Sequence, residues 1–403
     1  MDKDRFNKFD NPVDRTGTNS VKWDKREEVF GTEDVLPMWI ADSDWRTAEP
    51  IVEALKERAS HGVFGYTETD SKTDNLIVDW FERRYDWEIK PEWLVYGNGV
   101  VPSLRIILDS FTDKGDGVIL QPPVYYPFYT SIRASGGQIV TNQLKYEDGR
   151  YVMDYDDLEG TCGTGCGSFP VDPTPTSLVL CNPHNPVGRV WEEEELKKIG
   201  QICDRNDLLV ISDDIHSEFV YEKNEYTPFA SLSPDFAEKS ITLTSPSKAF
   251  NTAGLPASLA VIPSEKIRKR FRRAGEKLLK GPSVFGLEAL NAAYSDGDKW
   301  LKDQLDYLKS NRDYSLEVLR NEAPGVEPVK PEGTSLLWMD FRKLGLNGDE
   351  LEELILEEAR VGLDFGHWFG PGGEGFLRLN FACPRETLEE GLKRIVAAVE
   401  TVT

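Results

Sequence analysis

Four short apolar runs each end on polar or turn-forming residues: GVILQPP, TSLVLCNP, LLVISDD and SITLTSPS. They are nearly continuous rather than alternating, as expected of strands covered on both faces. Amphipathic stretches lie between them. In EEEELKKIGQICDRN the apolar residues Leu196, Ile199 and Ile202 fall on one side of a helix. This alternation predicts an α/β fold whose mainly parallel sheet is sandwiched by helices. The later chain reads differently. EKIRKRFRRAGEKLL and LKDQLDYLKSNRDYSLEVLRNEA have the pattern of long amphipathic helices, TSLLWMDF and GFLRLNFAC that of strands, and TLEEGLKRIVAAVETV that of a closing helix. A smaller α+β domain is therefore expected. The boundaries read as an N-terminal arm over 1–45 that joins the small domain, a large domain over 46–285 and a small domain over 286–403.

Charge narrows the function classes. Seventy acidic against 47 basic residues give a net charge of −23, and such a surface repels nucleic acid. No stretch approaches the ~20 apolar residues of a membrane helix. The polar start MDKDRFNKFDNPVDRTG lacks the apolar core of a signal peptide, so a cytoplasmic protein is expected. The five cysteines are odd in number and scattered, which argues against a disulfide framework. Cys162 and Cys166 sit in a loop-like segment from Gly160 to Pro175 with no second pair and no nearby histidine, so no metal site is expected.

The candidate chemistry lies just after the strands. In open α/β sheets, ligands bind beyond the carboxyl ends of the strands. The loops NPHNPVG, SDDIH and SPSKAFN all fall there, so Asn185, Asp213, His216, Ser245, Ser247 and Lys248 could converge. Arg378 lies in FLRLNF, near the end of the chain. YGNGVVPSLRIIL offers a glycine-rich turn entering a helix, with Gly99, Val100 and Val101 as candidate backbone donors to an anion.

Taken in order along the chain, NPHNPVG, SDDIH, SPSK and RLN resemble the class I/II aminotransferase family of fold-type I pyridoxal 5′-phosphate (PLP) enzymes, over essentially the whole length. The resemblance implies that Lys248 carries the cofactor covalently and moves the substrate Cα proton. It implies that Asp213 holds the pyridine nitrogen protonated, that Asn185 donates to the phenolic oxygen and that Tyr125 stacks on the ring. Gly99, Val100, Val101, Ser245 and Ser247 would hold the phosphate, and Arg378 the substrate carboxylate. Where the family often has a tyrosine three residues after the aspartate, this chain has His216.

HGVFGY at 61–66, DDIH at 213–216, RLNFACP at 378–384 and LPMWIADSDW are similar to the branch that holds PLP-dependent cystathionine β-lyases and a maltose-regulon modulator. That likeness implies a homodimer in which Tyr66 reaches the neighbouring site. It also implies a carbon–sulfur β-lyase acting on cysteine S-conjugates. An aminotransferase would use the same first half of the reaction and stays open as the alternative. The branch includes a protein that binds a transcription activator, so a regulatory binding role is a second alternative, although no stretch here marks such a surface. Trp39, Ile40, His367 and Trp368 are expected to shape substrate choice, with core packing as the competing role for Trp39.

Overall fold

The computed structural model describes residues 3–163, 173–276 and 281–403. Cys166, most of the Gly160–Pro175 segment and the last residues of the EKIRKRFRRAGEKLL stretch lie outside the described residues.

The large sheet has seven strands: β1 (Leu94–Gly97), β2 (Gly117–Leu120), β3 (Gln138–Thr141), β4 (Pro175–Cys181), β5 (Leu209–Asp213), β6 (Ser240–Thr244) and β7 (Ser258–Val261). Their spatial order is β1-β7-β6-β5-β4-β2-β3. The ladders joining β3, β2, β4, β5 and β6 are parallel; only β7 runs antiparallel to its neighbours. The four apolar runs of the sequence are β2, β4, β5 and β6. Every residue of β2 and β6 is buried, which is why neither run alternates.

The main helices are α1 (Glu49–His61), α2 (Ser71–Tyr85), α3 (Val100–Phe111), α4 (Glu193–Arg205), α5 (Glu265–Gly275), α6 (Val284–Asp296), α7 (Asp298–Glu322) and α8 (Arg385–Glu400), of which α7 and α8 pack together beside the later strands. Their starts follow capping chemistry. The Asp70 side chain accepts from the Thr73 amide, Ser283 accepts from Gly286, and Glu192 and Glu195 form a reciprocal capping box at α4. Leu196, Ile199 and Ile202 of α4 are all buried.

A second sheet comprises β8 (Glu327–Val329), β9 (Leu336–Asp340), β10 (Asp364–Phe365) and β11 (Phe376–Asn380), ordered β8-β9-β11-β10 with antiparallel ladders. The N-terminal arm joins this region, because Leu36 and Pro37 pair in parallel with Val361 and Gly362. No helix among the described residues is long and apolar enough to cross a membrane.

Candidate active site

Register explains the convergence. Asp213, the last residue of β5, is paired with Cys181 at the end of β4 and with Leu243 near the end of β6. The three motif loops therefore leave neighbouring strands at one edge of the sheet. β7 enters beside them antiparallel, placing Ser258 opposite Gly97. Together with the start of α3 they surround a cavity of about 320 Å³, to which the small sheet contributes Arg378. That volume suits a small organic ligand.

Of the residues singled out from sequence, Ile40, Gly99, Val100, Val101, Tyr125, Asn185, Asp213, His216, Ser245, Ser247, Lys248 and Arg378 all line this cavity. Lys248 is half-buried, and its Nζ donates to the Ala41 carbonyl at 2.8 Å. Burial lowers its pKa, opposed by the negative charge of Asp42. Asp213 is 4% exposed and accepts from the Ile215 amide at 3.2 Å. Burial pushes its pKa up to about 7, with that amide and Lys248 pulling the other way.

Arg378 is held from three sides. Its Nη1 donates to Asn185 Oδ1 at 2.7 Å, and its Nη2 donates to the Trp39 carbonyl and pairs with buried Asp364. Its guanidinium also lies 4.9 Å from the centre of the Phe369 ring. Burial raises the Asp364 pKa to about 6, against the pull of Arg378. With Oδ1 of Asn185 occupied, its Nδ2 remains as a donor toward the cavity. His216 is buried; desolvation, aided by Lys248 and Arg378, holds its pKa down to about 3.

Four expectations are corrected. The Gly99 amide donates to Ser258 Oγ at 2.9 Å, so it is not a free anion donor; Val100 and Val101, first in α3, are the better placed amides. Gly99 itself is required by its backbone, with φ at 155°. The Ser245 hydroxyl donates to the Ala257 carbonyl at 2.6 Å, leaving Ser247 as the uncommitted hydroxyl of the pair. The Trp39 indole points away from the cavity. It packs edge-on against Phe30 and donates to the Lys22 carbonyl, so only its backbone serves the site. His367 and Trp368 do not line the cavity either. Tyr66 stands outside it, fully exposed.

Sequence reasoning missed Ala41, Asp42, Asn98, Tyr126 and Asp364. Ala41 and Asp42 lie in the quoted stretch LPMWIADSDW, beside the two residues that were chosen. Asn98 neighbours Gly99. Nothing local distinguishes Asp364; only the fold brings it to Arg378.

The residues fit PLP. Asp213 is a buried carboxylate without a cation hydrogen-bonded to it, matching a protonated pyridine nitrogen. His216 Nδ1 and Arg378 Nε are buried and unpartnered at the same cavity, available to an anionic ligand. The start of α3 presents free amides where a phosphate would sit.

The family model for aminotransferase class I and II matches residues 40–395, and the chain belongs to that family. Its relatives include cystathionine β-lyases and other carbon–sulfur lyases as well as aminotransferases. Cystathionine beta-lyase PatB of Bacillus subtilis (strain 168) is 44% identical over 97% of this chain and 99% of its own. The crystal structure of cystalysin from Treponema denticola, which contains PLP, superposes with a TM-score of 0.93 at 33% identity, covering 98% of this chain and 99% of that one. The PLP-bound C–S lyase from Staphylococcus hominis matches with a TM-score of 0.88 at 32% identity, over 97% and 98%.

Proposed function

We propose that this chain is a cytoplasmic, homodimeric PLP enzyme that breaks the Cβ–S bond of cysteine S-conjugates, cystathionine among them. The products are a thiol, pyruvate and ammonia. The observation that carries the reading is the convergence of Lys248, Asp213, Asn185 and Arg378, from four separate segments, on one cavity. The full-length likeness to C–S lyases supports the same reaction.

When bound, PLP supplies an electron sink for negative charge developing at the substrate Cα. Arg378 grips the substrate carboxylate and thereby fixes the direction of the Cα–H bond. Lys248 is the only amine among the cavity's lining residues, and it takes the Cα proton as general base. Asp213, ionised against a cationic ring nitrogen, keeps that nitrogen protonated. Asn185 Nδ2 and His216 would donate to the cofactor ring, Tyr125 would pack on it, and Val100, Val101 and Ser247 would hold its phosphate.

Two observations support the assembly and compartment. Tyr66 is 111% exposed beside Val63 at 63% and Phe64 at 54%, an apolar patch that suits a second copy, with Tyr66 reaching its site. Cys162, Cys181, Cys203 and Cys383 are free thiols, as in a reducing compartment.

The test is incubation of PLP-loaded protein with L-cystathionine, following pyruvate and free thiol together. Equimolar, catalytic release of both is expected. Absence of release, with conversion of the cofactor to its amine form and recovery by a 2-oxo acid, would make the protein an aminotransferase instead.

A further inference from the structure

The segment Trp39–Trp45, of which Ile40 and Ala41 line the cavity, is an irregular strap pinned through its backbone. Arg378 holds the Trp39 carbonyl at 3.2 Å, and Asn380 holds those of Ile40 and Asp42, both at 2.7 Å. Asn251 holds the carbonyls of Ser43 and Trp45 at 3.0 and 2.8 Å. The remaining carbonyl between Arg378 and Asn251, that of Ala41, accepts from Lys248. The strap is thus fixed by β11 of the small sheet and by the turn that follows β6 of the large one, and it presents one carbonyl to Lys248.

The next side chain along the strap carries a charge. Arg15 grips Asp42 as a fork, at 2.9 and 2.7 Å. Buried Lys22 lies 3.8 Å from the same carboxylate. Burial pushes Asp42 toward its neutral form, yet Arg15, Lys22 and Lys248 together hold its pKa below the usual value. Its anion is therefore secure. Asp42 directly follows Ala41, so its carboxylate sits one residue along the strap from the carbonyl that holds Lys248, and its charge favours the ammonium; Asp213 on β5 acts the same way and Arg378 on β11 opposes both. His216, after β5, also faces Lys248 and stays neutral. Asp44, the next acid on the strap, turns the other way and pairs with Lys22, Arg15 and the Trp23 indole.

We propose that Asp42, clamped by Arg15, is a positioning residue that sets the charge state of the free Lys248 amine while that amine is docked on the Ala41 carbonyl. The proposal rests on the PLP reading above, since the free amine matters only where it must attack an aldehyde and later carry a proton. An ammonium cannot attack a carbonyl carbon. Asp42 favours the ammonium, Arg378 and burial favour the neutral amine, and their balance sets the pH at which the lysine becomes nucleophilic.

The experiment measures the rate at which cofactor-free full-length protein captures PLP, followed by absorbance across pH. Wild type should show capture rising with pH through one midpoint. Asp42→Asn removes the charge that favours the ammonium, so its midpoint should fall by about one pH unit. Asp42→Glu, which restores the charge, should return toward wild type, and it keeps the test alive if the amide variant folds poorly. Asp44→Asn perturbs the same ion cluster without facing Lys248 and should track wild type. An Asp42→Asn profile superimposed on wild type would overturn the proposal, as would an equal shift in Asp44→Asn. Failure of wild type to take up PLP would instead sink the cofactor reading itself.

Discussion

The cavity around Lys248 and the exposed loop around Tyr66 are built by opposite means. At the cavity, most functional groups sit at or just beyond the end of a buried strand or at a helix start, while Arg378 lies within β11. Arg378 has Asn185, Trp39 and Asp364 around it. The 61–66 loop is backed by Arg58, which donates to the Val63 carbonyl at 2.9 Å and stacks over Phe64 at 5.5 Å, and by Phe285, whose ring lies 5.5 Å from that of Phe64. The contrast separates groups positioned from within the fold from groups left exposed at its surface. A buried strand end supplies rigidity from within the fold, whereas an exposed aromatic patch acquires it only when something covers it.

Four measurements would break or sharpen that contrast. Lys248→Ala should lower kcat by about 10³-fold or more, because proton transfer at Cα loses its base. It should also abolish the yellow colour of the PLP-loaded protein; retained turnover would remove Lys248 from the chemistry. Arg378→Lys should lower kcat/KM by roughly 10²-fold, since an ammonium cannot reproduce a two-point grip held by Asn185 and Asp364. An effect under about threefold would mean that the substrate carboxylate binds elsewhere.

Tyr66→Phe should weaken PLP binding by about tenfold, the cost of one hydrogen bond to a charged group. The fold and melting temperature of the cofactor-free chain should be untouched. Unchanged affinity in a demonstrated dimer would detach Tyr66 from the neighbouring site. The smallest effect concerns Asp213 in the cofactor-free protein. Its folded pKa of about 7 lies above the unfolded value. Its contribution to stability is therefore fully present below about pH 4 and is lost as pH rises through 7. Asp213→Asn should accordingly raise the melting temperature of cofactor-free protein at pH 8, by about 2 kcal/mol of stability, while changing little at pH 4. The same change should weaken PLP binding at pH 8. A drop in cofactor-free stability at pH 8 would contradict the picture of a buried anion awaiting its cation.

Much of the cavity was legible before any coordinates. Continuous apolar runs marked β2, β4, β5 and β6, and the polar residues after them marked the site, because in a parallel sheet both facts follow from chain direction. What failed was hydrogen-bond ownership. The Gly99 amide and the Ser245 hydroxyl sit where expected, yet Ser258 and Ala257, brought in by antiparallel β7, already occupy them. Trp39 failed for a related reason. An irregular strap has no period from which to read which face a side chain takes, and its indole went to Phe30 and Lys22.

The sequence by itself determined the α/β order of elements and the residue types from which a PLP site can be made. Hydrophobic period and short motifs are local properties, and a local property survives in one dimension. Only the tertiary structure decided that Asp42 acts on Lys248 and that Asp364 pairs with Arg378. It also decided that Tyr66 stands clear of the cavity of its own chain. Those outcomes depend on which strand lies beside which and on what each leaves exposed. Asp364 and Arg378 are 14 positions apart and Asp42 and Lys248 far more, yet both relations are set by packing as a whole, where burial and pairing outweigh anything that neighbours in sequence can specify.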